Sequence, residues 1–217
     1  MFEARWFFQG DIPQSVKTWL ESLESPASTQ PTRPEVYFKS GDQIGLKISR
    51  GNLELKVRTT PAEAFTLSGG WSGVVELWTK QEWQYRPDGM PGDQDPIFDQ
   101  FANPALRGAR FRTEKDRTLV KFQPQGDQFL PVKEKNDKLK SALLIELVTL
   151  TVADRGTWCS LQFEVVGDVG LDASKQVLMR GMDWALDRGW PKQVPLRKAD
   201  SMGYPGLFER LSSAVGR

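Results

Sequence analysis

The stretch Gln43–Arg58, QIGLKISRGNLELKVR, decides the fold. Ile44, Leu46 and Ile48 share one parity and Lys47 takes the other; beyond Gly51-Asn52, Leu53, Leu55 and Val57 alternate with Glu54, Lys56 and Arg58. A side-chain period of two belongs to a strand with two unlike faces, and a two-residue turn between two such runs marks a β-hairpin. Glu35–Lys39 and the Gly41-Asp42 turn extend the pattern upstream. The region reads as a meander of antiparallel strands.

Working outward, Phe2–Phe8 is a short aromatic strand with Phe2, Ala4, Trp6 and Phe8 on one face and Glu3, Arg5 and Phe7 on the other. Asp11 and Gln14 have the spacing of a capping box, Pro13 suits a first helical turn, and Val16, Trp19, Leu20 and Leu23 follow at helical spacing. That helix is expected to end near Ser25-Pro26, and Ser25–Pro34, with three prolines, reads as a loop. Ser68–Gly73 lacks the lysine and following helix of a phosphate-binding loop and reads as a hairpin turn. It leads into a long alternating strand, Gly73–Tyr85.

Residues 86–103, rich in Pro, Gly and Asp, read as a long loop, and Lys133–Lys140 as a solvated linker of mixed charge. Arg107–Arg112 and Thr118–Gln123 are expected strands around a charged turn; Ser141–Ala153 and Thr157–Val166 are stronger ones, joined at Asp154-Arg155-Gly156. Leu171–Arg188 reads as a helix capped by Gly189, and Tyr204-Pro205-Gly206 as a turn. Hairpins dominate over any strand–helix alternation. The expected class is α+β, one large curved antiparallel sheet or barrel with flanking helices, in a single domain spanning 1–217.

Composition narrows the chemistry. The 217 residues carry a net charge of +1, which argues against a general nucleic-acid binder. The N-terminus lacks the pattern of a signal peptide and no apolar run is long enough to span a bilayer, so a soluble cytoplasmic protein without a membrane partner is expected. The single cysteine, Cys159, sits in an apolar alternating segment and reads as a core residue. There is no histidine, which removes Ser–His and Cys–His catalysis and histidine-ligated zinc. Carboxylates, lysines, arginines and hard metal ions remain.

Several strands place both signs of charge on their polar faces: Lys47; Glu54, Lys56 and Arg58; Glu76, Lys80 and Glu82; Lys121; Glu146; and Glu164. Two arrangements fit. The charged faces are either the solvated outer side of an ordinary sheet or the lining of a sheet curled closed. In a closed interior, lysines and arginines would hold phosphates and carboxylates a hard divalent ion.

These elements in this order resemble the CYTH group, the triphosphate tunnel metalloenzymes. Met1-Phe2-Glu3-Ala4-Arg5 matches that group's first strand at Glu3 and Arg5, with Met1 where a glutamate is usual. Lys47 in GLKIS, and Lys56 with Arg58 in LELKVR, match its basic hairpins. Val74–Trp78 keeps only Glu76 of an arginine–glutamate–glutamate strand, while Glu146, Glu164 and Tyr204-Pro205 resemble the late acidic strands and closing segment. The resemblance implies an eight-stranded antiparallel tunnel that binds a triphosphate or organic triphosphate. It implies Arg5, Lys47, Lys56, Arg58 and Lys121 as phosphate ligands, and Glu3, Glu76 and Glu164 as ligands of Mg or Mn. Two expected carboxylates are missing, so the residues leave open whether a tunnel of this kind hydrolyses its ligand or only binds it. A third reading is a catalytically inactive interaction module that meets a protein partner through exposed tryptophans, with Trp71, Trp78 and Trp83 the expected set.

Overall fold

The computed structural model describes residues 1–49, 51–84, 110–132, 141–167 and 169–213. The expected loop at 86–103 and the linker at 133–140 lie outside the described residues. The opening hairpin forms as read: β3 (Ile44–Ser49) pairs antiparallel with β4 (Asn52–Arg58). Around it lie β1 (Phe2–Gln9), β2 (Ser28–Phe38), β5 (Glu63–Thr66), β6 (Ser72–Gln84), β7 (Arg110–Gln125), β8 (Gln128–Pro131), β9 (Ser141–Val152) and β10 (Gly156–Gly167).

The strand order is β1-β10-β9-β7-β2-β3-β4-β6, with β5 added beside β6 and β8 beside β7. Phe2 and Glu3 of β1 also pair with Leu77 and Glu76 of β6, and this seam closes eight antiparallel strands into a ring. A ring has no free edge along its closed path, which removes the liability of an open sheet. The α+β tunnel that the sequence implied is therefore the observed architecture.

Helix α1 (Gln14–Ser22) and helix α2 (Leu171–Leu186) cover one side of the ring from outside. Val16, Trp19 and Leu20 of α1 and Val177, Leu178 and Met182 of α2 share a core with Trp6, Phe122, Ile145 and Phe163. Trp6 is fully buried, meets Phe65 and Phe163 edge-on, and donates from Nε1 to the Ser72 carbonyl at 2.8 Å.

Helix α3 (Tyr204–Ser213) does something different. Its Leu207, Phe208 and Leu211 pack with Phe7, Tyr37, Phe111, Val148 and Leu150, whose parity on β1, β2, β7 and β9 is that of the inner face. It thus fills one end of the ring with an apolar plug. Its approach is fixed by the preceding segment. Ser201 bridges to Trp6, and the Met202 N–H donates to the Arg5 carbonyl at 3.0 Å.

Several local expectations are corrected. The Asp11–Gln14 capping box does not form; Pro13 is the N-cap, and its carbonyl accepts from Val16 and Lys17. Most of the proline-rich loop is strand: β2 starts at Ser28, with a bulge between Gln30 and Arg33. Among the described residues, 28–34 pair with β7 alone, which leaves the prolines no second ladder to break there. The charged turn inside 107–123 is continuous strand within β7, because Lys115 and Arg117 point inward to carboxylates. Tyr204-Pro205-Gly206 opens a helix, a position that suits proline. Cys159 is buried as expected, and burial pushes its thiol up to about 11. Among the described residues, no helix is long and apolar enough to cross a membrane.

Candidate functional site

The ring encloses a cavity of about 430 Å³. Among the described residues, six cationic side chains line it: Arg5, Lys47, Lys56, Lys80, Lys115 and Arg117. Five carboxylates line it too: Glu3, Glu54, Glu82, Glu146 and Glu164. On β3 and β4 the charged face turns inward, and the apolar face outside it is buried at Ile48 but open at its ends. Lys47, Glu54 and Lys56 face the cavity, so the alternating Ile44 and Val57 face outward, where they are 40% and 38% exposed. This decides between the two arrangements left open by the sequence: the charged faces are the lining.

Each of these six cations has a carboxylate close by. Lys56 Nζ donates to Glu3 Oε2 at 3.1 Å. Lys47 Nζ lies 2.7 Å from Glu54 and 3.3 Å from Glu35, and Lys80 bridges Glu54 and Glu82 at 2.8 Å each. Arg117 and Arg5 share Glu146 at 3.0 and 3.5 Å. Glu35, fully buried behind the lining, also lies 3.4 Å from Lys115, and it accepts from Tyr37 Oη at 2.8 Å and Ser49 Oγ at 3.1 Å. Buried charges persist only when paired in this way.

The electrostatics follow from burial and these partners. Burial pulls the Lys47 ammonium below its usual range despite Glu35. For Lys56 burial is outweighed by Glu3 and Glu164, which hold its ammonium above its usual range. The Glu3 carboxyl is held below the usual carboxylate range, because Lys56 and Arg5 outweigh its burial. The Glu164 carboxyl is pushed up by burial and by the neighbouring Glu3 charge. Burial and Glu35 raise the Tyr37 phenol well above its ordinary value.

The register sets Glu164, Glu3 and Glu76 side by side on β10, β1 and β6. Gln162 Nε2 donates to both Glu3 Oε2 and Glu164 Oε2, at 3.1 and 2.9 Å. Glu76 stands apart: Arg58 holds it at 2.7 Å, Trp78 Nε1 donates to it at 3.3 Å, and it does not line the cavity. No group of three or more potential metal-ligating side chains gathers among the described residues. The donor set that fits a hard ion is the pair Glu3 and Glu164, since magnesium needs one or two carboxylates when phosphate oxygens complete its shell.

Of the expected phosphate ligands, Arg5, Lys47 and Lys56 come together in the cavity. Arg58 is turned to Glu76 and Asp42, and Lys121 lies further along β7 beyond the lining. Trp78 corrects the exposed-tryptophan expectation: it is 1% exposed because it packs at the cavity wall, whereas Trp83 is 47% exposed. Trp71 is partly buried against the core. Sequence reasoning missed Glu35, Tyr37, Lys115, Arg117 and Tyr204. Period-two spacing of Glu35 with Tyr37, and of Lys115 with Arg117, is the signal that was available.

No family model matches the chain, and neither does any curated protein. Solved structures are similar to it over most of the chain at low TM-scores. A conserved hypothetical protein of Pyrococcus furiosus matches with a TM-score of 0.42 and 13% identity, covering 94% of this chain and 99% of that one. The PH1012 protein of Pyrococcus horikoshii matches with 0.43 and 14%, covering 96% and 98%. A candidate adenylyl cyclase of Hippeastrum, described as having a dominant triphosphatase activity, matches with 0.42 and 12%, covering 96% and 95%.

Proposed function

We propose that the tunnel binds a phosphate-rich anion, a triphosphate or an organic triphosphate, together with a divalent cation. The observation that carries this reading is the patterning of β3 and β4, which turns Lys47, Lys56 and Glu54 inward while apolar residues face out. A cavity lined by paired charges of both signs is complementary to a charged occupant that replaces some of the internal partners. Arg5, Lys47 and Lys56, joined by Lys80, Lys115 and Arg117, are the phosphate ligands. Because each cation already neighbours a carboxylate, the anion takes over cations that Glu3, Glu54 and Glu146 now hold.

Glu3 and Glu164 would hold Mg or Mn, which supplies polarisation of the phosphoryl group and activation of water when bound. Glu164 suits this role because its buried carboxylate gains a counter-charge there. Arg5 and Gln162 orient the pair: Arg5 donates to Gln162 Oε1, and the Gln162 amide donates to both carboxylates. The activity to test is a slow, divalent-metal-dependent release of phosphate. A phosphate-release assay over several triphosphates, with and without Mg or Mn, checks it. Metal-dependent release lost in Lys56→Ala supports hydrolysis. Tripolyphosphate binding without turnover supports a binding protein.

One observation favours a second reading, an interaction module. The outward face of β3, β4 and β6 exposes Ile44, Val57 and Trp83. Its test is the absence of any anion binding together with self-association or partner capture lost in Trp83→Ser.

A further inference from the structure

Among the described residues, three buried side-chain nitrogen or oxygen atoms have no hydrogen-bond partner: Arg5 Nε, Arg117 Nε and Tyr204 Oη. All three residues line the same cavity. Orphaned buried polar groups are rare in folded proteins and each calls for an explanation. Guanidinium nitrogens only donate, and a phenol donates readily. Three spare donors in one cavity are complementary to an acceptor-rich group.

The three belong together. Glu146 holds one terminal nitrogen of Arg5 at 3.5 Å and one of Arg117 at 3.0 Å, which leaves both Nε edges unused. The Tyr204 ring has the Arg5 guanidinium carbon 4.4 Å and the Lys115 ammonium 4.2 Å from its centroid, and it stacks on Tyr37 at 5.2 Å. Its place on α3 is fixed by the Met202–Arg5 hydrogen bond and the Ser201–Trp6 bridge just before it. The hydroxyl is thus held in position at the plugged end, with no acceptor of its own. Lys80 and Glu82 mark the opposite, more exposed end, their side chains 32% and 41% accessible.

We infer that Tyr204, with Arg5 and Arg117, forms an inner subsite that takes the free terminal oxyanion group of the ligand. This rests on the anion-binding reading above and deepens it: the ligand enters terminal group first, and any organic remainder stays toward Lys80 and Glu82. Tyr204 then selects ligands that have a free terminal phosphoryl group over those that lack one.

Calorimetry with linear tripolyphosphate and with cyclic trimetaphosphate, which has no terminal group, tests this on the full chain. Tyr204→Phe removes only the hydroxyl and is expected to weaken tripolyphosphate binding about tenfold or more, the scale of a lost hydrogen bond to a charged group. It should leave trimetaphosphate binding nearly unchanged, so the preference for the linear ligand narrows. The melting midpoint of the free variant should be unchanged or higher, because the hydroxyl has no partner to lose. Arg117→Lys keeps the charge, removes the Nε–H, and should show the same narrowing. Wild-type-like affinity and preference in Tyr204→Phe would overturn the inference while leaving anion binding standing. So would a lowered midpoint with unchanged affinity, which marks a structural tyrosine. Wild-type protein that binds neither ligand would overturn the parent reading and this one with it.

Discussion

Replacing Glu35 by glutamine should destabilise the free protein and strengthen anion binding at the same time. Glu35 is fully buried and stands 3.3 Å from Lys47 and 3.4 Å from Lys115. Removing one partner of a buried ion pair costs about 3–5 kcal/mol. The lower end applies, because Lys47 keeps Glu54 at 2.7 Å and the amide oxygen still accepts from one of Tyr37 and Ser49, which bond different oxygens of the carboxylate. In a chain of this length 1 kcal/mol moves the melting midpoint by about 2–4 °C, so a fall of roughly 6–12 °C is expected. The same change removes one negative charge beside the cavity. At a separation of about 10 Å and an effective dielectric near 20, that is worth on the order of 1–2 kcal/mol, or roughly tenfold in affinity. Scanning calorimetry with and without tripolyphosphate reads both effects, and saturating anion should recover much of the lost stability. An unchanged midpoint would refute the view that Glu35 neutralises the buried lysines. A lowered midpoint with weaker anion binding would refute the view that carboxylates and ligand compete for the same cations.

Other consequences are simpler to read. Burial raises the Glu164 carboxyl, so its folded form holds a proton more readily than its unfolded form, and it contributes stability at low pH that is lost as pH rises through the folded value. Glu164→Gln should therefore be more stable than wild type at neutral pH, with the difference shrinking toward acid pH in a midpoint-versus-pH series. A methyl group on Gly73 would come within 2.7 Å of the Trp6 ring and 2.9 Å of the Phe65 ring, so Gly73→Ala should cost about 1–3 kcal/mol in urea unfolding. Phe208→Ala empties a fully buried plug residue that stacks on Phe111 at 4.6 Å, and should cost about 3–5 kcal/mol by the same measurement.

The hairpin at 43–58 was readable because strict alternation is a local signal, and Lys47 and Lys56 came with it. Ring closure was not readable from patterning. The seam joins Phe2 and Glu3 to Leu77 and Glu76 across the whole N-terminal third, and nothing near Phe2 in sequence marks that pairing. The two faces of β1 were legible, but which one faced inward was not, because Arg5 and Phe7 are as buried as Trp6. Glu35 and Tyr37 lay next to prolines that read as loop, and Lys115 and Arg117 lay in a run of charges that read as a turn. At Lys115 and Arg117 inward-facing ion pairs overrode local propensity, whereas Glu35 and Tyr37 were read in a strand whose inward face the pattern did not mark. Tyr204 was expected as part of a turn and of a closing segment, not as a cavity residue. Its position depends on the Ser201–Met202 segment docking against β1, a long-range contact.

The central claim is that the charged faces line a cavity built for a phosphate-rich anion. Isothermal calorimetry of tripolyphosphate against the full chain, with and without magnesium, tests it most directly. The account predicts one saturable site, strengthened by magnesium and lost in the Lys47→Ala, Lys56→Ala double variant even though that variant remains folded. No saturable binding under either condition, or equal binding by the folded double variant, would contradict it.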